Sequence, residues 1–156
     1  MKPKIKKILL PIHPLSNLDI EEYFRIMKIK GKVYPRDKIP KSIKSNSCIV
    51  INLAPSNSNT NGTHWVLLIN SNKETSILYY DSFGVEFPPE RIMKMKNKKP
   101  LVANNSQNQD INSIKCGYYV LKVAKSILID KLSYIDTMKL FTDTPSHKNE
   151  DISDNL

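Results

Sequence analysis

Apolar and polar positions alternate in blocks through the middle of the chain. Cys48-Ile49-Val50-Ile51-Asn52-Leu53 is β-branched and apolar, a Ser- and Asn-rich stretch runs from Ala54 to Thr63, and His64-Trp65-Val66-Leu67-Leu68-Ile69-Asn70 follows. A second polar turn, Ser71 to Thr75, leads into Ser76-Ile77-Leu78-Tyr79-Tyr80-Asp81. Runs this short and this apolar, separated by turn residues, predict neighbouring strands of a buried sheet. From Cys116 the period lengthens: Tyr119, Val120, Val123, Ala124, Ile127 and Leu128 share one helical face.

The flanking segments complete an α+β pattern, a central mixed β-sheet packed by helices. Ile20, Tyr23, Phe24 and Met27 recur at helical spacing and predict a helix over roughly 19–29. Asn17 or Asp19 caps it, Glu21 and Glu22 suit the dipole of its first turn, and Gly31 ends it. Residues 32–47, with Tyr34-Pro35, Ile39-Pro40 and several Lys, read as loop holding at most one short turn of helix. Pro88-Pro89-Glu90 opens a short helix to about Lys96, since proline is tolerated in a first turn. Leu101-Val102-Ala103 reads as a short strand, and Asn104 to Lys115 as polar loop. Residues 1–18 form a basic, proline-punctuated irregular arm or a short edge strand. Residues 142–156 are polar and acidic and predict a disordered tail. A single domain over 1–141 remains, as a chain of 156 residues leads one to expect.

Composition changes this picture in one respect. The formal net charge is +9, from 24 basic and 15 acidic residues, which invites a nucleic-acid or anionic-surface reading. The competing explanation is codon drift: Lys supplies 21 of the 24, and Lys, Asn and Ile, all encoded by A/T-rich codons, fill 55 of 156 positions. Arg, the better phosphate fork, is nearly absent. Two Cys in a chain with an ordinary core read as reduced thiols, not a disulfide. No apolar run approaches a membrane span, and the basic start is broken by Pro11 without a small-residue cleavage site, so a secretory signal is not expected. An intracellular, reducing setting follows.

The rare residues carry the chemistry. The only Trp follows a His at His64-Trp65, three of the four glycines are Gly62, Gly84 and Gly117, and Cys116 opens the apolar helix. A helix start stabilises a thiolate, a His in reach supplies a base, and a carboxylate or amide orients the imidazole. Asp81, ending the strand after that of His64, can lie beside it in the sheet. A neutral donor such as the Gln109 amide, with the Cys116 backbone N–H, can hold a developing oxyanion. Each signal alone has a structural explanation: a packed thiol, a surface His, an ordinary turn after a strand.

Together the motifs Gly62-Thr63-His64-Trp65, Asp81-Ser82-Phe83-Gly84 and Gln109 through Cys116-Gly117-Tyr118-Tyr119 resemble the adenain family of viral maturation endopeptidases. That family includes the capsid-processing proteases of virophages and polinton-like elements, and its wider group includes the SUMO-deconjugating peptidases. The resemblance covers roughly residues 48–128. His64 precedes Asp81 by seventeen residues and Gln109 precedes Cys116 by seven, with Asn112-Ser113 between, as in the viral enzymes.

The resemblance implies an adenain-like cysteine protease fold with the nucleophile at the N-terminus of a buried helix. It implies Cys116 as nucleophile, His64 as general base and then acid, Asp81 as orienter and Gln109 as oxyanion donor. Trp65 walls a narrow substrate groove on this reading, Gly117 belongs to the same substrate-binding side, and small, glycine-containing junctions are preferred. Gln107 is the alternative amide and Asp110 the alternative carboxylate, while Cys48 reads as a buried structural thiol. No metal or cofactor is required. Related enzymes use a viral peptide and DNA as activators, and no motif here identifies a partner peptide. The expected substrates are viral capsid or core precursors cut during virion maturation, by a monomer acting in the virion and at the host-cell site of assembly. The alternatives are a deconjugating peptidase for ubiquitin-like modifiers and a catalytically idle nucleic-acid-binding virion protein. The basic clusters Lys28 to Lys44 and Arg91 to Lys99 motivate the last.

Overall fold

The computed structural model describes residues 14–53, 64–84, 88–95, 97–109, 115–141, 149 and 156. Five strands form one sheet in sequence order: β1 (Gly31–Pro35), β2 (Ser47–Asn52), β3 (Trp65–Asn70), β4 (Ile77–Tyr80) and β5 (Leu101–Ala103). The central three are antiparallel, whereas β1 runs parallel to β2 and β5 parallel to β4, so the sheet is mixed. Helix α1 (Asn17–Met27) precedes the sheet, α2 (Glu90–Met93) lies between β4 and β5, and α3 (Cys116–Leu128) and α4 (Tyr134–Met138) follow.

The period-two alternation of the strands serves two cores. Cys48 and Val50, Trp65, Leu67 and Ile69, and Leu78 and Tyr80 point toward α1 and α3. Ile49 and Ile51, Val66 and Leu68, and Ile77 and Tyr79 point the other way, onto Ile39, Ile43 and Ile92. A sheet covered on both faces needs apolar residues at every position, which is why β3 is buried along its whole length. Helix α3 is the apolar spine: Tyr119, Val120, Val123, Ala124, Ile127 and Leu128 are all buried.

Local expectations for three elements are corrected. Residues 31–35, read as helix end and loop, form edge strand β1. Proline stands at its last position, and Lys32 is exposed, so the strand lacks an apolar signature. The expected short helical turn is the 3-10 turn Arg36–Lys38. Helix α1 is capped by Ser16, not by Asn17 or Asp19. Ser16 Oγ accepts from the Asp19 N–H and Asp19 Oδ2 accepts from the Ser16 N–H, a reciprocal capping box. The helix ends at Met27, with Lys28 in the left-handed conformation, rather than at Gly31. The short helix after Pro89 is one turn, closing at Met93.

Residues 1–13 of the basic arm and nearly all of the stretch from 142 lie outside the described residues. Within that stretch Asn149 is buried and donates to the Asn108 carbonyl at 3.1 Å, and Leu156 packs against the α3 core.

Candidate active site

The β-hairpin geometry dictates the first pair. Strands β3 and β4 pair with Leu67 opposite Tyr80, so continuing the register beyond the strands brings His64 to Phe83 and leaves Asp81 two residues away, its diagonal neighbour on the same face. The imidazole lies over the Phe83 ring, with centroids 4.6 Å apart. Its Nε2 is 2.6 Å from Asp81 Oδ1. Asp81 is buried, and Oδ1 also accepts the Phe83 N–H at 2.9 Å, which holds the carboxylate where the turn begins.

The turn itself is locked from beneath. Asn104, just after β5, accepts the Asp81 N–H on Oδ1 at 2.8 Å and donates Nδ2 to the Asp81 carbonyl at 2.7 Å. The Gly84 N–H closes the turn on the Asp81 carbonyl at 2.8 Å. Gly84 has φ +73°, and a Cβ there would stand 2.7 Å from the Ser106 backbone. Only glycine meets both conditions.

Cys116 is the first residue of α3 and is 7% exposed. Lys115 holds the N-cap position without capping the helix through its side chain. With His64 Nε2 committed to Asp81, Nδ1 is the ring nitrogen that remains for the thiol. Nδ1 is buried and has no hydrogen bond of ordinary geometry. Burial pulls the His64 pKa down, but the Asp81 carboxylate and the Cys116 side chain together outweigh it and raise the value to about 9. Such a ring is poised to carry a proton at neutral pH with the Cys116 sulfur close by.

The loop before α3 supplies the amide. Gln109 is fully buried, and its Oε1 accepts from the Ser82 hydroxyl. Ser82's own carbonyl accepts the N–H groups of Asn108 and Gln109 at 2.8 and 3.0 Å. Gln107 is engaged elsewhere: its Nε2 donates to the Gln109 carbonyl at 3.0 Å, so it steadies the loop that Gln109 sits in. Asp110, Gly62 and Asn112-Ser113 lie outside the described residues.

Trp65 and Gly117 are not brought to an open groove edge. Trp65 is 3% exposed, and its indole N–H donates to the Leu15 carbonyl at 2.9 Å. A Cβ on Gly117 would fall 2.9 Å from Leu15 Cβ. Both therefore meet the segment just ahead of α1, which covers them. Cys48 is buried, its thiol pushed far up by desolvation, in keeping with a structural role. Among the described residues, no three His, Cys, Asp or Glu side chains gather so as to hold a metal, and no helix is long and apolar enough to cross a membrane.

Sequence reasoning missed the supports: Asn104, Asn108 and the hydroxyls of Ser82, Tyr80 and Tyr119. Tyr80 donates to Asn108 Oδ1 at 2.8 Å and Tyr119 to the Asn108 carbonyl at 3.2 Å, fixing the loop from both sides. Their one visible signal is adjacency. Tyr80 precedes Asp81, Asn108 precedes Gln109, and Tyr119 stands nearly one helical turn beyond Cys116.

A mixed sheet with a thiol at the start of a buried helix, and a His–Asp pair close to it, is an arrangement able to support nucleophilic thiol chemistry. Residues 30–144 match the Ulp1 protease family, C-terminal catalytic domain; the chain belongs to that family and is a cysteine protease. Among solved structures, it is similar to the ASFV protease in its selenomethionine form, with a TM-score of 0.56 and 17% identity over 90% of this chain and 67% of that one. A second ASFV protease structure gives 0.47 and 21%, over 69% and 41%. The SUMO protease Ulp1 with its catalytic cysteine oxidised to a sulfinic acid gives 0.49 and 19%, over 93% and 80%. No curated protein sequence matches the chain.

Proposed function

We propose that Cys116 is the nucleophile of this protease, His64 its general base and then acid, and Asp81 the group that orients the imidazole. The observation that carries this reading is the 2.6 Å His64–Asp81 pair, whose second ring nitrogen is buried and whose imidazole interacts with Cys116. His64 takes the thiol proton, the thiolate attacks the peptide carbonyl, and the amine leaves with the proton returned by His64. A water activated by the same imidazole then hydrolyses the thioester. The Gln109 amide and the Cys116 backbone N–H donate to the oxyanion. Trp65 and Gly117 shape the substrate side through Leu15, which both touch.

The substrates in this reading are viral structural precursors, cut during virion assembly in an intracellular, reducing setting. The fold shared with the ASFV protease supports a viral context, and two free thiols suit a reducing one. Wild type and Cys116→Ala are mixed with the precursors and cleavage followed on gels. Processing by wild type alone is expected, and equal processing by the mutant overturns the assignment.

The match to the Ulp1 family favours one second reading, removal of ubiquitin-like modifiers. Release of free modifier from a conjugate at a rate exceeding precursor cleavage would replace the first reading with this one.

DNA is proposed as an accessory partner. The two basic clusters come together in the fold: Arg91 Nη1 donates to the Asp37 carbonyl, and Asn97 Oδ1 accepts the Ile43 N–H at 3.4 Å. Within the first cluster, Lys30, Lys32 and Lys44, with Ser42, Ser45 and Ser47, line a hollow of about 580 Å³. Stimulation by DNA that fades as salt rises is expected. Activity and binding indifferent to salt would remove DNA from the scheme.

A further inference from the structure

The orientation of the Gln109 amide is set by a residue that no catalytic role includes. Ser82 is fully buried, and its hydroxyl proton has one acceptor among the described residues, Gln109 Oε1. Turning the amide over would place Nε2 against Ser82 and leave that proton without an acceptor in the interior, a cost of about 1–3 kcal/mol. The observed orientation therefore holds the carbonyl end at Ser82 and turns the NH₂ end away from it. The backbone of the same residue adds a second restraint, because its carbonyl accepts both the Asn108 and the Gln109 N–H.

We infer that Ser82 is a positioning residue of the oxyanion hole: its hydroxyl fixes Gln109 with the NH₂ as the presented donor. Ser82 also follows Asp81 directly, in the turn whose Phe83 N–H holds the Asp81 carboxylate. One four-residue turn thus orients the base through Asp81 and the oxyanion donor through Ser82. A donor group held in place before the reaction needs no reorganisation as charge develops, which is the larger part of what an oxyanion hole contributes.

The inference rests on Gln109 being the oxyanion donor, and the test separates the two. Peptide turnover is measured for wild type, Ser82→Ala, Gln109→Ala and the double variant. Ser82→Ala should lower kcat about tenfold with KM nearly unchanged, the equivalent of one buried hydrogen bond. The limbs of its pH profile should not move, because the His64–Asp81 pair is untouched. In the Gln109→Ala background the same substitution should cost nothing further, since the group it positions is gone.

Wild-type kcat in Ser82→Ala overturns the role of Ser82, as do losses that multiply in the double variant. Full turnover in Gln109→Ala removes the oxyanion assignment and this inference with it, whereas a crippled Gln109→Ala beside an unaffected Ser82→Ala removes only the inference. Should Ser82→Ala lose its fold by circular dichroism, Ser82→Thr decides instead. It keeps the hydroxyl and is expected to keep kcat within about threefold of wild type, and a loss matching that of Gln109→Ala overturns the proposal.

Discussion

Asp81 and His64 meet at 2.6 Å across the mouth of the β3–β4 hairpin, and the carboxylate oxygen that faces the imidazole also receives the Phe83 backbone N–H. The geometry of the candidate base is therefore written into a turn, not into a flexible side chain. Removing the carboxylate while keeping the shape isolates its charge. Asp81→Asn should bring the His64 pKa down from about 9, shifting the alkaline limb of kcat/KM to lower pH. An unchanged limb in a stopped-time peptide assay would show that Asp81 does not set the proton affinity of His64.

The same raised value links to stability. Its folded pKa of about 9 stands above the unfolded value of 6.5, so the contribution is full below pH 6.5 and is lost as pH rises through 9. Urea midpoints should fall between those limits in wild type. The fall should be smaller in Asp81→Asn, where a main partner of the imidazolium is gone.

The two thiols differ in environment. Cys48 is buried with its thiol pushed strongly toward the protonated form, whereas Cys116 interacts with His64. Brief treatment with iodoacetamide at pH 7 followed by peptide mass mapping should find Cys116 modified first. Faster labelling of Cys48 would contradict the assignment of the nucleophile.

Gly84 and Asn104 hold the turn mechanically. Gly84→Ala places a Cβ 2.7 Å from the Ser106 backbone at φ +73°, and should cost more than about 1 kcal/mol of stability. Asn104→Ala strands the Asp81 N–H and leaves the Asp81 carbonyl with the Gly84 N–H alone, with a loss of about 2 kcal/mol. Urea unfolding measures both, and a change within about 0.5 kcal/mol in either would show that the turn does not depend on that residue.

What could be read in the sequence was what its local periodicity encodes. Strands β2, β3 and β4 announce themselves because a sheet covered on both faces must be apolar throughout. Helix α3 does so because one of its faces is continuous with that core. The juxtaposition of His64 with Asp81 was legible too, since a hairpin of that length returns one strand end to the other. Strand β1 was not: an edge strand with an exposed lysine and a closing proline has the composition of a loop. The clamp of Asn104 on Asp81 was hidden for a different reason. It depends on the parallel β4–β5 register, and with 15 asparagines in the chain no single one stands out.

Leu15 has a consequence in time. Its carbonyl holds the Trp65 indole, fifty residues later, and its side chain seats on Gly117 beside the candidate nucleophile. Contacts separated so widely along a chain carry a large loop-closure cost and are slow to form. During synthesis the segment ahead of α1 emerges long before the helix it must cover. A growing polypeptide thus carries His64 and Asp81 well before it has Cys116, and the proposed centre is complete only once all three have been made.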